Sequence, residues 1–208
     1  ALNEFDTKRT TGLIAINLKD EDELIAIKQS TGSNNIIIVT RKGKCICFSE
    51  KDVRPMGRIA SGVRAIKLDK DDEVVSMELV EPEQQLMVVT ENGFGKRTPV
   101  EEYKIQVRGG KGLLTYDKAK FSKTGALIGA MVVDESDEIL MINSDGIIIR
   151  IRASEVSILG RATQGVKIMK VEEGSKIVAI AKAIRDDEDE TEENDSSASK
   201  ETEEQMSL

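Results

Sequence analysis

No histidine and no tryptophan occurs among the 208 residues, and aromatics make up only 3% of the chain. Without histidine, the commonest general base near neutral pH is missing. Nothing around the two tyrosines, Tyr103 and Tyr116, points to an activated hydroxyl, and no catalytic constellation is expected. Without tryptophan there is no WD dipeptide, which argues against WD40 and kelch propellers. The two cysteines, Cys45 and Cys47, are two residues apart and face the same side of a strand. A lone CxC pair is a poor zinc site, so two small buried side chains in a reducing compartment are expected. No apolar run approaches the roughly 20 residues of a membrane span. No basic segment followed by an apolar one opens the chain, so neither membrane insertion nor a signal peptide is expected. Convincing helical periodicity is also missing.

Charge is unevenly distributed. From Asp186 onward eleven carboxylates face one lysine, Lys200, and this tail carries −10. The first 185 residues, with 29 cations and 27 anions, carry +2. An end so acidic and so poor in apolar surface cannot offset its ordering entropy, so 186–208 is expected to be a disordered tail on a folded domain of residues 1–185. The acidic clusters "LKDEDE" (Leu18–Glu23) and "LDKDDE" (Leu68–Glu73) lack EF-hand spacing and recur at one repeat position, as solvated turns would.

What the chain does have is a repeat. "TGLIAINL" (Thr11–Leu18), "SGVRAIKL" (Ser61–Leu68), "KGLLTYDK" (Lys111–Lys118) and "QGVKIMKV" (Gln164–Val171) place glycines at 12, 62, 112 and 165. A second apolar stretch follows each: "ELIAI", "EVVSM", "ALIGA" and "KIVAI". Three hairpins with turn glycines at 43, 93 and 146 complete the pattern. Their "ENG" and "SDG" turns suit type I′ geometry. Hairpin first strands such as Ile36–Val39 are apolar on both faces, as in a strand covered from both sides. Four short strands per unit of about fifty residues is the signature of a propeller-like array. About three and a half units are present. The hairpin after Ala183 is missing, so the array is expected to be open, part of a larger ring. Its exposed edge is expected at the trailing strands, Val166–Met169 and Ile177–Ile180.

Cations gather in the loops: Lys8, Arg9, Arg41, Lys42, Lys44, Arg54, Arg58, Arg64, Lys96, Arg97, Arg108, Lys111, Arg150, Arg152, Arg161 and Lys167. Lys44, Lys96 and Arg150 follow turn glycines by one to four residues, and Arg58 and Arg161 each follow a loop glycine. A repeated fold sets equivalent loops along one rim, and a repeated cation makes that rim a positive stripe. Duplex DNA, long and uniformly charged, is the expected ligand. The densest loop is "QVRGGKG", Gln106–Gly112. It is not a nucleotide P-loop, because Gly110-Lys111 is followed by Gly112 and the position five before Gly110 is Ile105. Gly109, Gly110 and Gly112 would let the backbone approach phosphates with N–H groups outward. Arg108 and Lys111 would add charge-assisted contacts, and Gln106 a neutral one. None of these reads a base, so sequence-independent binding is expected.

"QVRGGKG" is similar to the glycine-rich box, Q-R-R-G-G-K-G, of the C-terminal domain of bacterial gyrase A proteins, with Val107 in place of a cation. "ENGFGKRTPVEEY" (Glu91–Tyr103), "RPMGRIASGVRAIKL" (Arg54–Leu68), "SILGRATQGVKI" (Ser157–Ile168) and the acidic tail also resemble that DNA gyrase family. The resemblance implies an all-β β-pinwheel that wraps DNA around its rim in support of ATP-dependent negative supercoiling. It implies a non-catalytic part of a bacterial cytoplasmic enzyme. The partners would be duplex DNA, the remainder of gyrase A and gyrase B, with ATP and magnesium used elsewhere in the parent. The family's main box normally lies in the first blade, so this one is expected to be a box-like loop of a later blade, with the main box upstream. The alternatives are a topoisomerase IV C-terminal domain, or a propeller scaffold that binds protein and not DNA.

Overall fold

The computed structural model describes residues 5–8 and 10–183; Arg9 and the acidic segment 186–208 lie outside them. Eleven strands are present among these residues: β1 Asn35–Thr40, β2 Lys44–Ser49, β3 Val74–Val80, β4 Gln85–Thr90, β5 Phe94–Pro99, β6 Leu113–Leu114, β7 Leu127–Val133, β8 Glu138–Asn143, β9 Ile148–Arg152, β10 Val166–Lys167 and β11 Ile177–Lys182. The one short α-helix among them, α1, is Phe121–Thr124. The strands form three antiparallel sheets, ordered β3-β1-β2-β6, β10-β5-β4-β7 and β11-β8-β9.

Each sheet is centred on one hairpin but is not the sequence repeat folded on itself. The first hairpin, β1–β2, pairs β1 with β3 and β2 with β6, and β6 belongs to the glycine-led stretch one repeat beyond β3. The second hairpin likewise takes β7 on one side and β10, one repeat beyond β7, on the other. The strands are therefore interleaved between neighbouring units. This corrects one expectation. The trailing strands β10 and β11 do not lack a hairpin: they complete the second and third sheets. Both are nonetheless edge strands, paired on one side only and largely exposed, as expected of them. The outer side of β9 likewise has no partner among the described residues, and no ladder there joins the third sheet to the first.

The first repeat shows the same rule in reverse. Thr11–Leu18 and Glu23–Ile27 form no ladder, and Ile14 and Ile27 are 72% and 77% exposed. Apolar alternation alone does not make a strand here. The later equivalents pair because a hairpin stands beside them, and none of the described hairpins occupies that position for residues 11–27. Ser61–Leu68 forms no ladder strand for the same reason.

The hairpin turns also differ from the type I′ expected. Gly43, Gly93 and Gly146 have φ of 76°, 76° and 79°, whereas no other residue of these turns has positive φ. Each of these glycines donates its N–H to the carbonyl three residues back, Thr40, Thr90 and Asn143, at 3.0–3.1 Å. That is a type I turn ending in a left-handed glycine, the three-residue hairpin loop.

The core lies between sheets. Leu86 and Val88 of β4 pack with Ile37, Val39, Cys45 and Cys47 of the first sheet. Met87 and Val89, on the opposite face of β4, pack with Ile139 and Met141 of the third. All four β4 side chains are fully buried, as expected for a strand apolar on both faces, and each contributes about 1.5–3 kcal/mol of burial. The two cysteines are free and buried, and burial pushes the Cys45 thiol up to about 12. No helix among the described residues is long and apolar enough to cross a membrane.

Candidate nucleic-acid interface

The glycine-rich loop hangs from the edge of β2 by both ends. On the way in, Ile105 forms a parallel bridge with Cys47, and the Gln106 N–H donates to the Cys47 carbonyl at 2.7 Å. On the way out, Leu113 and Leu114 pair with Cys45 and Lys44. Between these anchors the loop lies against Ser61–Leu68. Gly109 N–H donates to Ala65 O at 2.5 Å, and Lys67 N–H to Gly110 O at 2.7 Å. Gly112 has φ +70°, and a Cβ there would stand 2.3 Å from Cys45 O, so only glycine lets the exit strand reach β2.

Two of the loop's amides are therefore used internally rather than turned outward. The Gln106 side chain is half-buried, and its Nε2 has no hydrogen-bond partner among the described residues. Arg108 is half-buried; its Nε donates to Asp52 O at 2.9 Å and its Nη1 to Arg64 O at 3.1 Å. Lys111 and Arg64 are exposed.

The other expected cations divide into three groups. Lys96 and Arg97, read from the sequence as rim residues, are buried at 0% and 3% exposure. Loop 156–163 covers them. Lys96 Nζ donates to Gly160 O at 2.7 Å, Thr163 Oγ1 at 3.2 Å and Arg161 O. Arg97 donates to Val156 O at 2.7 Å, Gln85 Oε1 at 2.7 Å and Ser154 O at 3.3 Å. Both hold the loop in place and present no cation to solvent. Burial pulls the Lys96 ammonium down to about 8. The second group is compensated or tied down. Lys44 pairs with Asp69 at 2.7 Å, Arg150 pairs with Glu138, Arg152 lies 4.0 Å from the same carboxylate, and Lys42 Nζ donates to Lys70 O at 2.6 Å. The Lys44 ammonium hydrogen-bonded to Asp69 holds that carboxyl below its usual range.

The third group is Arg58, Arg64, Arg108, Lys111 and Arg161. Arg58 Nη1 donates to Ile14 O at 2.9 Å and Arg161 Nη1 to Leu114 O at 2.7 Å. None of the five is ion-paired among the described residues, and the side-chain partners of Arg58, Arg108 and Arg161 there are neutral carbonyls; only the Arg161 backbone N–H meets a carboxylate, donating to Glu102 Oε2 at 2.9 Å. A signal for three of them is present in the sequence. Arg58, Arg108 and Arg161 stand four residues before Gly62, Gly112 and Gly165, and Lys8 stands four before Gly12. Offsets from the hairpin glycines instead pick out Lys96, because a strand cation there is covered by the next loop.

The family model described as the DNA gyrase C-terminal domain, beta-propeller, matches residues 1–30, 34–81, 84–134 and 137–183, one segment per repeat. The chain belongs to this family. Among its relatives, the gyrase A protein of Mycolicibacterium smegmatis is 41% identical over 191 residues, covering 90% of this chain and 22% of the relative. The chain thus spans about a fifth of the length of the curated relatives it matches. A solved DNA gyrase A C-terminal domain superposes with a TM-score of 0.76 at 30% identity, covering 84% of this chain and 59% of that one. A topoisomerase IV C-terminal domain superposes at 0.82 with 24% identity, covering 88% and 57%, and shares the fold. The β-pinwheel architecture is that of the family, with three sheets built here from interleaved strands.

Proposed function

We propose that this chain binds duplex DNA without sequence preference and bends it along the rim formed by loops 54–62, 106–112 and 157–165. It would do so as the C-terminal part of a gyrase A protein that supports negative supercoiling. The observation that carries this is the set of cations on equivalent loops that make no ion pair among the described residues, Arg58, Arg64, Arg108, Lys111 and Arg161, with Lys8 at the matching position of the first repeat. Their neutral carbonyl partners leave full charge for phosphates. No base-reading geometry is needed, and deformable DNA is favoured because it must curve.

Supercoiling itself, the remainder of gyrase A, a bacterial cytoplasmic setting and the partner gyrase B belong to the same proposal. Family membership supports it over the topoisomerase IV alternative, because the relatives near 40% identity are gyrase A proteins, whereas the topoisomerase IV likeness is one of fold. Among the described residues no group of three or more carboxylates or thiols is placed to hold a metal ion. ATP and magnesium would act in other parts of the parent.

The test is the affinity for an arbitrary duplex at several salt concentrations. Six cations on six phosphates give a log–log slope of roughly −5, at about −0.9 per phosphate. No binding at low salt, or a slope near zero, refutes the proposal and leaves the protein-binding scaffold.

A further inference from the structure

The arginines four residues ahead of Gly62, Gly112 and Gly165 share a contact that charge alone does not require. Their acceptors, Ile14, Arg64 and Leu114, are themselves equivalent: each lies two residues past the glycine of the preceding repeat, Gly12, Gly62 and Gly112. Each arginine therefore reaches from its own loop to the glycine-led stretch of the repeat before. The contact forms at all three places, at 2.7–3.1 Å. It forms where the acceptor stretch is paired in a sheet, as at Leu114, and also where it is not, as at Ile14.

We infer that Arg58, Arg108 and Arg161 are positioning residues that fix the step between successive DNA-facing loops, and thereby the curvature imposed on the duplex. This rests on the proposed DNA binding. A guanidinium is a planar fork whose donors point in fixed directions. Here Nη1 is committed to the neighbouring repeat in all three, with Nε of Arg108 also held by Asp52 O. Nη2 of each has no protein partner among the described residues, and the carbonyl acceptors cancel none of the charge. One side chain can thus bind a phosphate and hold the adjacent loop at once. Lysine supplies the same charge as a point on a flexible stem, without the fork, so it can neutralise a phosphate but cannot fix the step.

The test compares the parent with the triple variant Arg58→Lys, Arg108→Lys, Arg161→Lys. Three quantities are measured: the salt slope on a duplex too short to bend, the end-to-end distance of a longer duplex carrying a fluorophore pair, and amide hydrogen exchange without DNA. The expected result is a salt slope within about one unit of the parent's, at least half of the bending lost, and exchange at Gly109 and Lys67 at least several-fold faster. The single variant Arg108→Lys gives the same exchange signature if the triple variant does not fold. Parent-like bending by the triple variant overturns the inference, as does unchanged exchange. A slope that falls by about three with bending intact would make the arginines simple phosphate contacts. A parent that does not bind DNA refutes the proposed function, and the exchange result still decides whether the arginines hold the loops together.

Discussion

Gly62 and Gly112 have nearly the same backbone conformation, φ +74° and +70°, in equivalent positions, but only Gly112 is seated against a hairpin. Around Gly62 an added Cβ meets nothing within 4 Å; at Gly112 it would meet Cys45 O at 2.3 Å and Cys45 C at 2.9 Å. Substitution by alanine therefore separates two costs that usually come together. Gly62→Ala carries only the left-handed backbone penalty, about 1–2 kcal/mol. Gly112→Ala carries that and must also push its strand off β2 by the better part of an ångström. That weakens the pairing of Leu113 with Cys45 and Leu114 with Lys44, at about 1 kcal/mol for each hydrogen bond lost. The sum is about 3–4 kcal/mol. For a domain of this size 1 kcal/mol is about 2–4 °C in Tm, so Gly112→Ala should melt roughly 10 °C below the parent and Gly62→Ala roughly 4 °C below it. Gly165→Ala, facing Gly95 O at 2.5 Å, should behave like Gly112→Ala. Thermal unfolding followed by far-UV circular dichroism measures all three. Equal shifts at Gly62 and Gly112 would refute the docking of the glycine-led strands by interleaving.

Because burial lowers the Lys96 pKa to about 8 from 10.5, the unfolded chain holds a proton there that the folded chain releases, and stability should rise as pH is raised above 8. The window is pH 8 to 9, since above 9 the buried Cys45, raised to about 12, contributes in the opposite sense; Lys96→Met should flatten the urea midpoint across that window. The double variant Arg108→Ala, Lys111→Ala should fold and bind duplex DNA more weakly, with the salt slope shallower by about one per lost phosphate contact; unchanged affinity would leave the loop a mere turn. Deleting everything after Arg185 should tighten duplex binding at low salt, with a gain that shrinks as salt rises. A tethered polyanion competes for the rim at an effective concentration of order millimolar and is screened beyond about 8–10 Å; weaker binding after truncation would reverse the sign.

Much of the architecture is legible in the sequence because period and turn chemistry are local. The three hairpins stand where their glycines lie, and β4, apolar at Leu86, Met87, Val88 and Val89, is covered on both faces. The partner of an outer strand is not legible. Nothing in "GLLTYDK" distinguishes the hairpin that follows it from those that precede it, and the choice is made by how the chain crosses between sheets. For the same reason residues 11–18 have the pattern of a strand and are not one. Among the candidate site residues, Arg64 lies against the loop of Arg108 and Lys111, a closeness between stretches some forty residues apart that the sequence does not show. Lys96 and Arg97 depart from the rim because their burial depends on loop 156–163, about sixty residues away, folding over β5. The inward use of the Gly109 and Gln106 amides likewise depends on residues 65 and 47, remote in sequence.

Interleaving also bears on how such an array could lengthen or shorten over generations. A duplicated stretch of about fifty residues brings one new hairpin and one new pair of outer strands. When the stretch is taken to begin at its hairpin, one of those strands serves the hairpin it arrives with, and the other serves the hairpin before it. The displaced glycine-led strand moves onto the newcomer, and every sheet keeps its full complement. Loss of a whole unit is equally silent. Insertion or loss of half a unit leaves one hairpin short of an edge and one edge without a hairpin, so the number of blades can drift only in integers.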